Sequence, residues 1–176
     1  MIKFSRQWAM PNANTFEIKP IADLLERWLP KTGDIVDPFA RESKWATVTN
    51  DLNPEYETDY NMDAVDFLQM LVDEGRTFRA ALLDPPYSPR QISEVYKSIG
   101  LTPGMKDTQN ARLYRECKER MTALLEPGGV AITCGWNSGG FGKKNGFVMR
   151  EILLVPCGAA HNDYIVTVET KQDFQI

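Results

Sequence analysis

The sequence is poor in metal ligands, in paired thiols and in long apolar runs. It has one histidine, His161, and three cysteines with no Cys-x-x-Cys spacing, so no metal site is expected. Cys117, Cys134 and Cys157 are odd in number and no secretion signal precedes them. They read as reduced, mostly buried thiols of a cytoplasmic protein. No apolar stretch approaches the roughly 20 residues of a membrane helix, and the start, MIKFSRQWAMPN, lacks the apolar core of a signal peptide. No membrane partner is expected. With no second histidine or serine in a recognisable arrangement, a nucleophilic triad is excluded. Repeats, low-complexity tracts and linkers are also missing, so the 176 residues read as a single domain.

A basic surplus is missing as well. The net charge of −4 speaks against a nucleic-acid partner on composition alone. The distribution says more. Residues 88–120 carry seven basic residues against four acids, and residues 137–147 carry Lys143 and Lys144 with no acid. The plain interpretation of such a stretch is a solvated helix face of mixed charge.

The hydrophobic pattern alternates between strand-like runs and helical spacings. Strands are expected at residues 34–37, 45–49, 79–83, 130–134, 151–155 and 164–169. Helices are expected at 63–71, where Val65, Leu68 and Leu71 share a face, and at 107–125, which ends at the EPGG of residues 126–129. Strands alternating with helices imply an α/β fold with a mostly parallel central sheet and helices on both faces. The last two strands read as a hairpin that gives the sheet an antiparallel edge. Ligands of such folds sit beyond the carboxyl ends of the strands. Asp37, Asp51, Asp84 and the segment after Cys134 all fall there.

Asp84 ends a buried apolar run and is followed by Pro85, Pro86 and Tyr87. A carboxylate at a strand end is often a helix cap. Here two prolines prevent a helix from starting at once. The prolines also remove local donors, which leaves carbonyls able to face a ligand. Tyr87 adds a flat ring. Acceptors beside an aromatic platform suit a planar group bearing an amine, such as a nucleobase.

With these residues the sequence resembles the S-adenosylmethionine-dependent amino-methyltransferases, above all those acting on the N6 amine of adenine in DNA. Asp84-Pro85-Pro86-Tyr87 matches their DPPY motif. Lys19-Pro20 with Leu24 resembles the KP-x-x-L element before the cofactor strand. DIVDPFA at residues 34–40 resembles the strand's DxVLDPFAG signature. Asp51, Asp63-Ala64, Pro127-Gly128-Gly129 and His161-Asn162 fall in the family's order, from about Lys19 to Glu169. The resemblance implies a Rossmann-like methyltransferase fold and S-adenosylmethionine as cofactor. It implies cofactor contacts from Asp37, Pro38, Phe39, Ala40, Arg41, Asp51, Asp63 and Ala64. It places Asp84 and the Pro85 carbonyl as acceptors for the target amine, with Pro86 in the same turn, and has Tyr87 stack on the flipped base.

The same comparison implies DNA as partner, with RNA adenine or a cytosine N4 amine as alternatives that keep the chemistry. A catalytically silent nucleic-acid-binding or regulatory module is the alternative of a different class. The sequence departs from the family in two places. The F-x-G-x-G cofactor loop reads Phe39-Ala40-Arg41-Glu42-Ser43, without glycine. Pairing of Arg41 with the cofactor carboxylate, or closure of residues 8–16 over the cofactor, would compensate. No separate target-recognition domain is expected either. Arg90, Trp136, Asn137, Lys143 and Lys144 are left as candidates to touch nucleic acid, with residues 137–147 as a flexible substrate loop. Relaxed specificity, or specificity from a partner or a second copy, is expected. The small build resembles that of phage or mobile-element enzymes working in the cytoplasm of a bacterial host.

Overall fold

In chain order the elements are β1 (Lys3–Arg6), α1 (Lys19–Trp28), β2 (Ile35–Asp37), β3 (Val48–Thr49), α2 (Ala64–Asp73), β4 (Phe78–Leu83), α3 (Pro89–Ser98), α4 (Asn110–Leu124), β5 (Leu125–Gly135), β6 (Phe147–Val155) and β7 (Tyr164–Lys171). The computed structural model describes residues 1–86, 89–100, 102, 110–158 and 162–173. The strands form one seven-stranded sheet in the order β1-β6-β7-β5-β4-β2-β3. All neighbours are parallel except β7, which runs antiparallel to both β5 and β6.

Side-chain alternation divides the core between the two faces of the sheet. Val36, Ala81, Leu83 and Ala131 join Phe67, Leu68 and Leu71 of α2 and Cys117, Met121 and Leu124 of α4 in one apolar cluster. The α4 residues recur at helical spacing, which is why this helix lies flat on the sheet. Ile35, Ala80, Leu82, Ile132, Cys134, Val166 and Val168 join Ile21, Leu24 and Leu25 of α1 in the other cluster. The α/β class with helices on both faces is as expected. Among the described residues, no helix is long and apolar enough to cross a membrane.

Several local expectations are corrected. The antiparallel strand is not at the edge: β7 inserts between β5 and β6, and β1 forms the rim. Lys3–Arg6 is short, polar and mostly exposed, so its sequence carries no strand signal. It is held by pairing with β6 and by the buried Glu151, which accepts from Lys3 (3.0 Å), Arg27 (2.9 Å) and Trp28 (2.8 Å). Burial alone would raise the Glu151 pKa, but these donors hold it below the usual carboxylate value.

The strand expected over residues 45–49 shrinks to Val48–Thr49. The Thr47 hydroxyl takes the Ile35 amide, so a side chain replaces the next rung of the ladder. The EPGG turn lies inside β5 as a bulge, where the register against β4 jumps from Leu125 opposite Phe78 to Val130 opposite Ala80. Gly128 there has φ 78°, and a side chain on Gly129 would strike the Glu126 carbonyl at 2.8 Å.

Candidate active site

Strands β2, β3 and β4 end side by side; Asp37 is the last residue of β2, Asp51 stands two residues after β3, and Asp84 follows β4. Residues at these ends line a cleft of about 760 Å³. Its walls include Pro38, Phe39, Ala40, Arg41 and Asp51 from the ends of β2 and β3. Asp63 and Ala64 come from the start of α2, and Asp84, Pro85 and Pro86 from the turn after β4. Asp37 is outside the lining, fully buried at the end of β2.

The acids are held differently. One Asp37 oxygen accepts the Phe39 amide at 2.9 Å. The other is buried with no hydrogen-bond partner among the described residues. Burial, with the charges of Asp84 and Asp51 nearby, pushes the Asp37 carboxyl up to about 8, so it is protonated at neutral pH. Asp84 is pushed up to about 6 by burial. A hydrogen bond from the Thr15 hydroxyl and the charge of Arg41 act against that rise. Asp51 is raised by burial and held back by amides of Asn53 (2.9 Å) and Arg41 (3.1 Å).

Asp63 fills the capping role that Asp84 avoids. One of its oxygens accepts the Val65 and Asp66 amides at the start of α2, at 2.8 and 3.2 Å. The second oxygen stands 3.5 Å from the Tyr96 hydroxyl on α3.

The glycine-free loop still turns left-handed. Arg41 has φ 49°, and it is the non-glycine residue with positive φ among those described. Three contacts from one residue offset that strain. Its amide donates to Asp51, and its guanidinium donates to the Ala13 carbonyl (2.8 Å) and the Tyr56 hydroxyl (3.1 Å). The guanidinium also lies 5.5 Å from the centre of the Tyr56 ring. Asn14 reaches Glu42 at 3.2 Å, so the N-terminal segment is tied to the loop. Residues 12–17 form one wall of the cleft.

The remaining candidates lie elsewhere. Arg90 is exposed on α3 and pairs with Glu94 at 2.7 Å; its neighbours Gln91 and Ile92 line the cleft in its place. Trp136 and Asn137 follow β5 without entering the lining. Lys143 and Lys144 stand in a short 3-10 turn just before β6. The start of β6 pairs with the end of β7, at Phe147 and Lys171, so these lysines are at the opposite end of the sheet.

The expectation of a flexible substrate loop over residues 137–147 is therefore corrected. The buried Glu169 carboxylate accepts the Phe141 and Gly142 amides, and Lys118 donates to the Gly140 carbonyl. Phe141 is buried against Phe147, with ring centres 4.9 Å apart. The segment crosses a sheet face as a fixed connection. Tyr87 and His161 lie outside the described residues. Three of the seven basic residues of 88–120 pair with acids one helical turn away in their own helices, as Arg90–Glu94, Arg112–Glu116 and Arg115–Glu119.

Thr15, Tyr56, Tyr96, Arg112 and Tyr164 also line the cleft and were not singled out from the sequence. Their side chains reach the site from elements distant in the chain, and no spacing marks them. Thr15 falls in the segment noted for possible closure, Arg112 in the basic stretch of residues 88–120, and Tyr164 just after the His161-Asn162 element; nothing in the sequence hinted at Tyr56 and Tyr96.

No protein-family model and no curated protein matches the sequence. Solved structures do. SMU.776, complexed with S-adenosylhomocysteine, matches with a TM-score of 0.61 at 12% identity over 86% of this chain and 48% of its own. NSun6 from Pyrococcus horikoshii with SFG matches with 0.56 at 15%, over 86% and 50%. The 1,6-didemethyltoxoflavin-N1-methyltransferase of Burkholderia thailandensis, with S-adenosylhomocysteine bound, matches with 0.56 at 16%, over 88% and 78%. This chain spans about half the length of the first two. The likeness is one of fold, and the chain has the Rossmann-like architecture of the methyltransferases.

Proposed function

We propose that this chain transfers a methyl group from S-adenosylmethionine to the exocyclic N6 amine of adenine in DNA. The observation that carries the proposal is the convergence of Asp84-Pro85-Pro86 with Asp51 and Asp63 around one cleft, with Asp37 buried at the end of β2. Its volume is in the range of small-molecule sites. The donor set fits the cofactor. On the family resemblance, Asp51 would accept from the ribose hydroxyls, Asp63 and Ala64 would face the adenine, and residues 38–41 would lie beside the amino-acid end. The buried, unpartnered oxygen of Asp37 is a polar group that a ligand or its water would satisfy. Bound there, the sulfonium supplies an activated methyl group.

The work left to the protein is positioning and electrostatics. The adenine amine is a weak nucleophile because its lone pair is delocalised into the ring. Asp84, ionised above about pH 6, accepts one amine hydrogen, and the Pro85 carbonyl accepts the second. This favours a pyramidal nitrogen and stabilises the positive charge that grows on it. Tyr87 would stack on the flipped base, a contact worth about 1–3 kcal/mol. Among the described lining residues the basic ones are Arg41 and Arg112, both already bonded, which fits relaxed specificity or a specificity partner.

Transfer of tritiated methyl groups tests the proposal on DNA, on RNA and on oligonucleotides whose only exocyclic amine is cytosine N4. Label is expected in adenine of DNA and is lost with Asp84→Asn. Label confined to RNA or cytosine moves the substrate. Equal inactivity of wild type and variant on every substrate supports a silent binding module and overturns the proposal.

A further inference from the structure

The left-handed Arg41 joins three parts of the cleft that the sequence keeps apart. Its amide bonds Asp51 after β3. Its guanidinium bonds the Ala13 carbonyl and the Tyr56 hydroxyl. Two residues beyond Ala13, the buried Thr15 lines the cleft together with Asp84, whose charged form its hydroxyl favours. The short helical turn Thr15–Glu17 makes this link stiff, because the Glu17 and Ile18 amides donate to the Asn14 and Thr15 carbonyls. A glycine would adopt the same backbone at position 41 more easily. The side chain therefore has a use that the backbone does not require.

We propose that Arg41 is a positioning residue: by clamping Ala13 it holds residues 12–16 on the cleft and keeps the Thr15 hydroxyl on Asp84. The role in methyl transfer rests on the function proposed above, whereas the clamp itself does not. Loss of the clamp frees the strap, withdraws the Thr15 hydroxyl and leaves Asp84 with one donor fewer to stabilise its charge. Asp84 is also faced by Asp37 from β2, Tyr114 from α4, Cys134 from β5 and Tyr164 from β7. None of these interactions runs through the strap, so they form a constant background; the charge of Arg41 itself also favours ionised Asp84, and it is lost in Arg41→Gly but kept in Arg41→Lys.

Two measurements on the apo protein test the clamp without any turnover. Hydrogen exchange of the Glu17 and Ile18 amides is expected to quicken about tenfold in Arg41→Gly, the loss of a charge-assisted hydrogen bond. A carbon-13 titration of the Asp84 carboxyl, assigned by its disappearance in Asp84→Asn, is expected to move upward in both Arg41→Gly and Thr15→Val. The Arg41→Gly/Thr15→Val double variant is expected to titrate like Arg41→Gly alone, because the hydroxyl is already lost there. Unchanged exchange, or fully additive shifts in the double variant, overturns the proposal. Arg41→Lys keeps the charge but not the two-point clamp; it repeats the test should the glycine variant fold poorly. The expected faster exchange and non-additive titration, with no methyl transfer by the wild type, would refute the function and leave the clamp standing.

Discussion

Residues 39–43 and residues 137–146 behave contrary to their compositions. The first loop has no glycine, yet it takes a left-handed turn at Arg41 beside the cleft. The second has four glycines, yet it is held by Glu169, Lys118 and the buried ring of Phe141. Glycine widens the conformations a chain can adopt. It does not set how many partners the chain then finds. In the first loop side-chain contacts hold a strained backbone. In the second, glycine is needed because a buried carboxylate approaches so closely that a Cβ on Gly140 would lie 2.1 Å from it. One loop shapes a site and the other secures a crossover.

The largest expected effect separates the regions by function. Asp84→Asn, at the cleft, should lower methyl transfer on the order of a thousandfold, the scale of losing a group that stabilises transition-state charge. Its thermal midpoint should stay or rise, since a buried charge is removed. A variant that keeps a tenth of the activity would break the assignment of the cleft.

Stability should separate them the other way. Gly140→Ala forces a side chain into Glu169 at a positive φ and should cost about 2–4 kcal/mol in denaturant unfolding. Arg41→Gly relieves a strained residue while losing its clamp and should stay within about 1 kcal/mol of wild type. The reverse order would mean that the cleft loop is the structural one.

The pH dependence sharpens the contrast further. Asp37 titrates at about 8 in the folded chain, against 3.8 for the free group. Between these values the folded state keeps a proton that the unfolded state releases, so the Asp37 contribution to stability falls as pH rises from about 4 to about 8. The slope from one such group approaches about 1.4 kcal/mol per pH unit in that window. Asp84 acts in the same direction up to about 6. Melting temperatures across pH 4–9 should show this decline, and Asp37→Asn should flatten it. An unchanged slope in the variant would exclude Asp37 as its source. The smallest effect belongs to the far loop. Lys143→Ala with Lys144→Ala should change DNA affinity and methyl transfer by less than about twofold, and a tenfold loss would return that loop to the substrate side.

Much of the site was legible because its acids follow a positional rule. Asp37, Asp51 and Asp84 end or follow apolar runs, and parallel strands bring such ends to one edge. Asp63 was legible as a residue but not in its cap geometry, which depends on where α2 starts. The basic residues misled because counting charges does not reveal pairing. Arg90, Arg112 and Arg115 each face an acid four positions on, a spacing that the sequence does show. Strand β1 was illegible for a different reason: four mostly exposed residues have no intrinsic preference strong enough to read, and their place comes from β6 and Glu151.

By itself the sequence determined the α/β alternation, the strand ends on which the acids sit and the absence of a helix directly after Asp84. These follow from periodicity and from proline geometry, which act over a few residues. Only the tertiary structure decided that β7 enters the sheet between β5 and β6, that the glycine-rich segment is pinned, and that Arg41 and Thr15 meet the cleft from either side. Those outcomes rest on contacts between residues far apart in the chain. Their energies depend on burial and partners, which no local pattern encodes.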